Sequence, residues 1–369
     1  MNELEDIKGR LQTEVEKVTG GVLTTIRHEM GITCSSQIAG TADTFFASKL
    51  YGANETYVVA YIRVNGEGRL VSALQEDLGV LPDLFYGEDG EIWCRLTTDT
   101  TSEKELEIIV PILERSHYSK PKGRRPFAGT CAGRLGEFAI FHDVDIFSTK
   151  KPDKLLKVQF KKGKPVAKLG KLPLPSHNKV FFDPRHGIQL IAFDKDQNSF
   201  IQRVCDIDGA IDATRSVPAA DVNLFETLEI GFDSDSRLIL CRSGEISIGI
   251  LSSKGDLTEK LLIELPSSIY STWTPVAVGN GRSLMRFTFE KGNGWLIVKG
   301  QKLLDCLIHD GCQGYRSLIN NRRIEIPCND LVITGASSSG PDGYCVSMHP
   351  RTEHAAAKEL YILHQSSLK

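Results

Sequence analysis

Short apolar runs separated by polar turns recur along the whole chain. Seven of them are rich in β-branched and aromatic residues and are bounded by Gly, Asp, Asn or Ser, which predicts strands. These runs are residues 44–50, 91–96, 137–142, 188–193, 237–242, 294–300 and 343–348. Their centres lie 46 to 56 residues apart.

A second strand-like run follows each of the first seven after a polar gap. The second set is 57–64, 106–113, 155–160, 200–207, 246–251, 302–308 and 359–363. The gaps contain turn residues, as in Ser243–Gly244–Glu245. A hairpin repeated near every 50 residues is what four-stranded β-propeller blades give, because such a sheet buries both faces only between two neighbours.

By this period and strand density, residues 31–369 resemble β-propeller repeat proteins in general. The Gly-His and Trp-Asp pairs of WD40 repeats, the double glycine of kelch repeats and the sialidase-type box are missing. The resemblance therefore implies an all-β fold, a β-propeller with about seven four-stranded blades, and no particular family. Six or eight blades stay open. The alternative is an independent α+β domain over residues 1–145, followed by a β-rich domain after the Lys/Pro-rich stretch 150–175.

The N-terminal segment shows a different period. Its apolar residues fall at steps of three and four, which predicts an amphipathic helix over residues 3–30. They are Leu4, Ile7, Leu11, Val15 and Val18. The predicted organisation is thus a helical segment, 1–30, packed on a propeller domain, 31–369.

The net charge of −3 conceals a strong segregation of charge. Residues 1–114 hold 9 Lys and Arg against 20 Asp and Glu, whereas residues 115–185 hold 17 against 5, a net of +12. A positive field of this kind attracts phosphate groups or an acidic protein face. The candidate anion-binding residues are Lys120, Lys122, Arg124, Arg125, Lys161, Lys162 and Lys164. The alternatives are a solvated lysine-rich loop, or a basic face that neutralises the acidic first two blades of the same molecule or of a second copy.

No catalytic motif is present: the sequence has no Walker loop, no Gly-x-Ser-x-Gly and no His-Glu-x-x-His. No catalytic residue, cofactor or metal is therefore predicted. Cys306, His309 and Cys312 are close in sequence, but Cys306 lies in a strand run and is expected to face the core. A candidate polar site at a channel mouth would use side chains at strand ends, namely His142, Asp143, Asp145 and His309.

Cysteine usage and the first residues bear on the compartment. The nine cysteines lie mostly singly inside apolar runs, which favours buried reduced thiols. The first ten residues lack the apolar core of a secretory signal, and no run reaches about 18 apolar residues. A cytoplasmic protein without a membrane span is predicted.

Three function hypotheses follow. The first is a non-enzymatic interaction or scaffold module whose propeller loops bind a protein, or an anionic partner such as nucleic acid. The second is a hydrolase or lyase with its site at the mouth of the central channel. The third is a lectin-like or ligand-sensing propeller, for which Trp93, Trp273 and Trp295 would have to be exposed.

Overall fold

The computed structural model describes most of the backbone between residues 5 and 366. Outside the description are 40–42, 53–56, 77–82, 87–91, 99–105, 112–128, 136–137, 144–152, 160–163, 173–177, 184–186, 195–198, 206–210, 219–223, 230–235, 252–256, 274, 279, 310, 312, 340–342 and 353–356. Side chains are described within 5–75 and 237–366, apart from these gaps and positions 35, 36, 38, 238, 251, 257 and 277. The chain divides into two compact units, Met1–Pro126 with Pro275–Lys369, and Phe127–Thr274.

The first unit begins with short strands and one turn of 3-10 helix. The elements are β1 (Glu5–Asp6), the 3-10 helix Lys8–Arg10, β2 (Gln12–Val18) and β3 (Gly21–Arg27). Next come β4 (Ile32–Ala39), β5 (Asp43–Tyr51), β6 (Tyr57–Asn65) and β7 (Leu70–Glu76), in the sheet order β1-β7-β6-β5-β4. A three-stranded sheet of order β10-β9-β8 follows, made of β8 (Asp83–Tyr86), β9 (Ile92–Thr98) and β10 (Leu106–Pro111).

The second unit contains three four-stranded meanders. The first is β11 (Gly129–Leu135), β12 (Phe138–Asp143), β13 (Asp153–Gln159) and β14 (Lys164–Leu172). The second is β15 (Asn178–Asp183), β16 (Gly187–Asp194), β17 (Ser199–Cys205) and β18 (Ile211–Pro218). The third is β19 (Leu224–Glu229), β20 (Ser236–Arg242), β21 (Glu245–Leu251) and β22 (Leu257–Glu264), and β23 (Ile269–Thr272) ends the unit. The first strands of the three meanders lie side by side, with β15 against both β11 and β19.

The chain then returns to the first unit. One sheet has the order β25-β26-β27-β28-β29, with β24 paired to β25. Its strands are β24 (Val276–Ala277), β25 (Arg282–Phe289), β26 (Gly292–Lys299), β27 (Lys302–His309), β28 (Tyr315–Ser317) and β29 (Arg323–Ile324). The last strands are β30 (Leu331–Ser339), β31 (Gly343–Pro350) and β32 (Glu359–Gln365).

The last three strands form one sheet with β2 and β3, in the order β2-β3-β32-β31-β30. We call it the closure sheet, because it joins the two ends of the described chain. Its central pairing is antiparallel, with Gly21 opposite Gln365 and Arg27 opposite Glu359.

Both sets of predicted strand runs are confirmed as strands. Each pair of runs forms an antiparallel pair of neighbouring strands: β5-β6, β9-β10, β12-β13, β16-β17, β20-β21, β26-β27 and β31-β32. The all-β class is therefore confirmed over the part of the chain that the structure describes.

The predicted N-terminal helix is wrong. Residues 12–27 form a hairpin around a tight turn at Thr19–Gly20, where Gly20 has a φ of +79°. β3 is rich in β-branched residues, which pack well on a pleated surface, and its backbone gains ladder bonds to β32. The α+β alternative also lacks support, since the described residues before 145 contain only the 3-10 turn and strands.

The core of the first unit explains why the sheets stack. Successive side chains of a strand point to opposite faces, so Tyr361 and Leu363 enter one core cluster while Leu360 and Ile362 enter another. The first cluster joins the closure sheet to the β24–β29 sheet, and Trp295 lies at its centre. The second joins it to the β4–β7 sheet. Strands β3, β32 and β31 of the closure sheet are thus largely buried on both faces, whereas β2 at its edge is exposed.

Candidate functional site

An open cleft of about 810 Å³ lies at one end of the closure sheet. At this end β3 and β31 finish while β2 and β32 begin. Its lining residues come from the 3-10 helix, these strands and the adjoining loops: Arg10, Gln12, Arg27, His28, Glu29, Pro350, Lys358 and Glu359. Its volume falls in the range of about 300–1,000 Å³ that is usual for ligand sites.

An ion-pair cluster joins the two chain ends beside the cleft. The Arg27 guanidinium donates Nε to Glu359 at 2.7 Å and Nη1 to Glu14 at 2.9 Å. These bonds, the one to Glu359 first, raise the pKa of Arg27 above its ordinary value. Burial opposes ionisation of Glu359, but hydrogen bonds from Tyr361 and Arg27 outweigh it and lower the pKa of its carboxyl. Arg27 and Glu359 therefore already have partners within the closure sheet.

His28 has a defined orientation. Its Nδ1 lies 3.1 Å from the Gly31 carbonyl, and because a carbonyl oxygen only accepts, Nδ1 is the donor. The neutral ring then keeps Nε2 as an acceptor. The His28 backbone N–H donates to the Lys358 carbonyl at 3.2 Å, which holds the two loops together.

Two charged side chains of the cleft remain uncommitted. Lys358 and Glu29 are exposed, and neither forms an ion pair within the part of the chain that the structure describes. Arg10 pairs with Glu5, but both side chains are about half exposed, so that pair is weak. Lys358 and Arg10 can thus donate to a ligand, and Glu29 and the Nε2 of neutral His28 can accept from one.

Cys345 and His364 are buried next to each other, as in a nucleophilic site, but their pKa values do not favour the charged forms that catalysis needs. His364 Nε2 lies 3.9 Å from Cys345 Sγ, and His364 Nδ1 lies 3.1 Å from Ser339 Oγ. Burial raises the pKa of the Cys345 thiol far above its usual value and lowers the pKa of His364 to about 4. Catalysis needs a thiolate stabilised by imidazolium, and these shifts favour the neutral thiol and neutral imidazole.

A second ion pair lies at the opposite end of the closure sheet. Arg322 Nη2 donates to Asp305 at 2.9 Å, and Nη1 donates to Gln365 at 2.9 Å. Gln365 in turn donates to the Thr19 carbonyl in the β2–β3 turn. Gly20 suits the positive φ of this turn, and a Cβ there would lie 2.7 Å from Arg322 Nη1 and would displace the guanidinium from its partners. We call these residues the closure latch.

Comparison with known proteins gives the fold. Neither a protein-family model nor a curated protein matches the chain. The β-propeller domain of the Trilobed protease from Pyrococcus furiosus is similar, with a TM-score of 0.54 and 8% identity, covering 90% of this chain and 95% of that one. A prolyl endopeptidase structure gives a TM-score of 0.52 and 10% identity, covering 91% of this chain and 47% of that one. The fold resembles that of a β-propeller, with no specific family assigned. Hydrazine synthase from Kuenenia stuttgartiensis matches with a TM-score of 0.51 and 9% identity, covering 87% of this chain and 93% of that one.

The structure places few of the site residues predicted from sequence. Lys120, Lys122, Arg124, Arg125, Lys161, Lys162 and Asp145 lie outside the described residues. Lys164 begins β14, and His142 and Asp143 end β12, but their side chains lie outside the description. His309 is 2% exposed at the end of β27, with its ring centroid 5.4 Å from that of Tyr315.

The described tryptophan and cysteine side chains bear on the lectin-like hypothesis and on the expected burial of Cys306. Trp295 is fully buried between Tyr315 and Tyr344, so it offers no face to a sugar. Cys306 faces the core, as expected from its strand run. No group of three metal-binding side chains occurs among the described residues.

The helix predicted over residues 3–30 conceals the cleft residues, because it does not bring Gln12 and Arg27 together. The signal that would have found them is the Gly20–Gly21 pair between two runs rich in β-branched residues, which is typical of a hairpin. A hairpin places Gln12 beside Arg27, but only the pairing of β3 with β32 brings Lys358 and Glu359 to them.

Proposed function

We propose that this β-propeller is a seven-bladed, non-enzymatic interaction module that binds a protein partner at the cleft. The seven sheets among the described residues support the blade number, with the closure sheet as the blade built from both chain ends. The observation that carries the function is the cleft: its loops hold charged side chains that have no partner in the described chain. At the buried Cys345–His364 pair, the raised pKa of the thiol and the lowered pKa of the imidazole disfavour nucleophilic catalysis by these two residues.

The experiment is site-specific photo-cross-linking in cells that produce the protein. A photoreactive amino acid replaces Gln12 in the cleft or, as the matched control, Ile319, which is 50% exposed beside the latch. The two ends of β3 are about 20 Å apart, so the control samples a different surface. We expect a discrete cross-linked partner from position 12 and none of the same mass from position 319.

Charge reversal tests the same cleft independently. Lys358→Glu is expected to abolish that cross-link, because it replaces the uncommitted ammonium with a carboxylate beside Glu29 and Glu359. Lys302→Glu, at an exposed position outside the cleft, is the control and should leave the cross-link intact. Equal cross-linking by Lys358→Glu and the wild type would rule out the cleft as the docking site.

The basic block is a second proposed surface, for an anionic partner. Residues 115–185 carry a net charge of +12. Changing Lys161, Lys162 and Lys164 to Glu alters this charge by six units, so we expect elution from heparin at markedly lower salt. Elution at the wild-type salt concentration would contradict an anion-binding role for these lysines.

No helix in the described part of the chain has the length and apolar character needed to cross a membrane. A cytoplasmic location remains part of the proposal, supported by the buried free thiols Cys34, Cys241, Cys306 and Cys345.

A further inference from the structure

We infer that a basic surface beside the closure latch, with an aliphatic side chain at its tip, docks on an anionic lipid bilayer. The surface consists of three turns, residues 17–20, 299–302 and 316–323, which we call the latch rim. It lies away from the cleft, so this inference goes beyond the proposed function. It follows from the contacts that join the three turns, from their charge and from one exposed isoleucine.

The closure latch holds the three turns of the latch rim together. Arg322, in the third turn, donates to Asp305 and to Gln365. Asp305 lies on β27 directly after the second turn, and Gln365 donates to the Thr19 carbonyl in the first turn. Because one hydrogen-bond network connects all three turns, their exposed side chains act on the same neighbouring surface.

The latch rim carries only positive charge, although the whole chain has a net charge of −3. Its charged residues are Lys17, Lys299, Lys302, Arg316, Arg322 and Arg323. All but Arg316 and Arg322 are exposed, and those four form no ion pair with any residue that the structure describes. Glu16 precedes the first turn on β2, where successive side chains point to opposite faces. Cations concentrated in this way are attracted to anionic lipid head groups.

An aliphatic side chain forms the tip of the third turn. Ile319 is 50% exposed. Ser317 Oγ accepts hydrogen bonds from the backbone N–H groups of Ile319 and Asn320, and Asn321 has a φ of +57°, which asparagine tolerates better than most residues. The turn thus holds an apolar side chain towards solvent among cations. Peripheral membrane contacts combine these two features, because apolar insertion and attraction to anionic lipids add to each other.

A nucleic acid fits the latch rim less well than a bilayer does. Single strands are bound by stacking of bases on aromatic side chains, and duplexes by polar contacts to phosphates and base edges. The three turns contain no aromatic residue. The side chain of Ile319 makes no hydrogen bond to a phosphate, but it gains from entering the apolar boundary of a bilayer.

The test is co-sedimentation of the full-length protein with vesicles of phosphatidylcholine, alone or with about 30% phosphatidylserine. We expect binding to the phosphatidylserine vesicles only, and weaker binding as the salt concentration rises. Lys299→Gln with Lys302→Gln is expected to bind about tenfold less tightly, since each basic residue near an anionic surface contributes about fivefold. Lys8→Gln with Lys291→Gln removes two exposed cations outside the latch rim and is the matched control. Arg322 stays unchanged, because its loss would open the latch.

A second variant tests the aliphatic tip by itself. Salt does not screen an apolar contact, so Ile319→Ser should weaken vesicle binding by about tenfold even at high ionic strength. Binding by Ile319→Ser equal to that of the wild type would overturn insertion of the tip.

Three further outcomes overturn the bilayer contact. The first is no binding to phosphatidylserine vesicles, and the second is equal binding by the Lys299/Lys302 variant and its control. The third is tighter binding to a DNA oligonucleotide than to vesicles, lost in the same variant. Binding lost on changing Lys161, Lys162 and Lys164 to Glu, but kept in the Lys299/Lys302 variant, would assign the vesicle contact to the basic block instead. The cross-link from position 12 should be unaffected by changes in the latch rim, so the two proposals fail independently.

Discussion

Replacing Arg322 with methionine is expected to lower the free energy of unfolding by about 3–5 kcal/mol. Its partner Asp305 is fully buried, and the Arg322 side chain is 15% exposed. Ser317 and the Cys306 N–H also donate to the Asp305 carboxylate, but neither carries a charge. Methionine keeps most of the side-chain volume, so the loss comes from leaving a buried carboxylate without its cation.

Urea unfolding followed by tryptophan fluorescence measures this effect, since Trp295 is buried in the adjoining core. Arg69→Met is the matched control, because Arg69 pairs with Glu67 where both side chains are more than 70% exposed; we expect a change below about 1 kcal/mol. Adding Asp305→Asn to Arg322→Met should recover part of the loss by removing the unpaired charge. A loss for Arg322→Met no larger than that of the control would contradict the closure latch.

Acidification is expected to destabilise the fold through His364. Burial lowers its pKa from 6.5 to about 4 in the folded protein. The unfolded chain therefore takes up a proton below pH 6.5 that the folded chain takes up only near pH 4. Neutral His364 therefore leaves the free energy of unfolding at its full value above pH 6.5. As the pH falls from 6.5 to about 4, the free energy of unfolding decreases by about 3 kcal/mol.

The measurement is the free energy of unfolding at pH 7.5 and pH 4 for wild type and His364→Asn. Other acid-sensitive groups, such as Glu359, contribute to both proteins and cancel in the difference. The variant should lose about 3 kcal/mol less than the wild type over this range. Parallel pH profiles would mean that His364 titrates normally in the folded state.

Local pattern was sufficient for the strands. Runs such as 57–64 and 359–363 combine β-branched and aromatic residues with flanking turns, and the structure has strands at Tyr57–Asn65 and Glu359–Gln365. Local pattern fails at residues 12–27, because apolar steps of three and four predict a helix there, whereas the Gly20 turn folds the segment into a hairpin. Of the apolar stripe assigned to that helix, Ile7 and Leu11 are buried beside the 3-10 turn, whereas Val15 is 45% exposed on β2.

The candidate site could not be read from local pattern. Arg27 and Glu359 are 332 positions apart and meet through a pairing between the two chain ends. No spacing rule links such residues, since their proximity depends on how the sheets stack. For the same reason, no sequence motif marks His28 and Lys358 as residues of one cleft.

The amino-acid sequence by itself determined the strand runs and the hairpin repeat, because each depends on side chains close together in the chain; it also indicated buried free thiols, as found at Cys34, Cys241, Cys306 and Cys345. Only the tertiary structure decided that β2 and β3 complete the sheet of the last strands, and which side chains form the cleft and the closure latch. It also decided how far burial shifts the pKa values of Cys345 and His364. These depend on contacts across hundreds of residues, where the environment created by packing sets the chemistry.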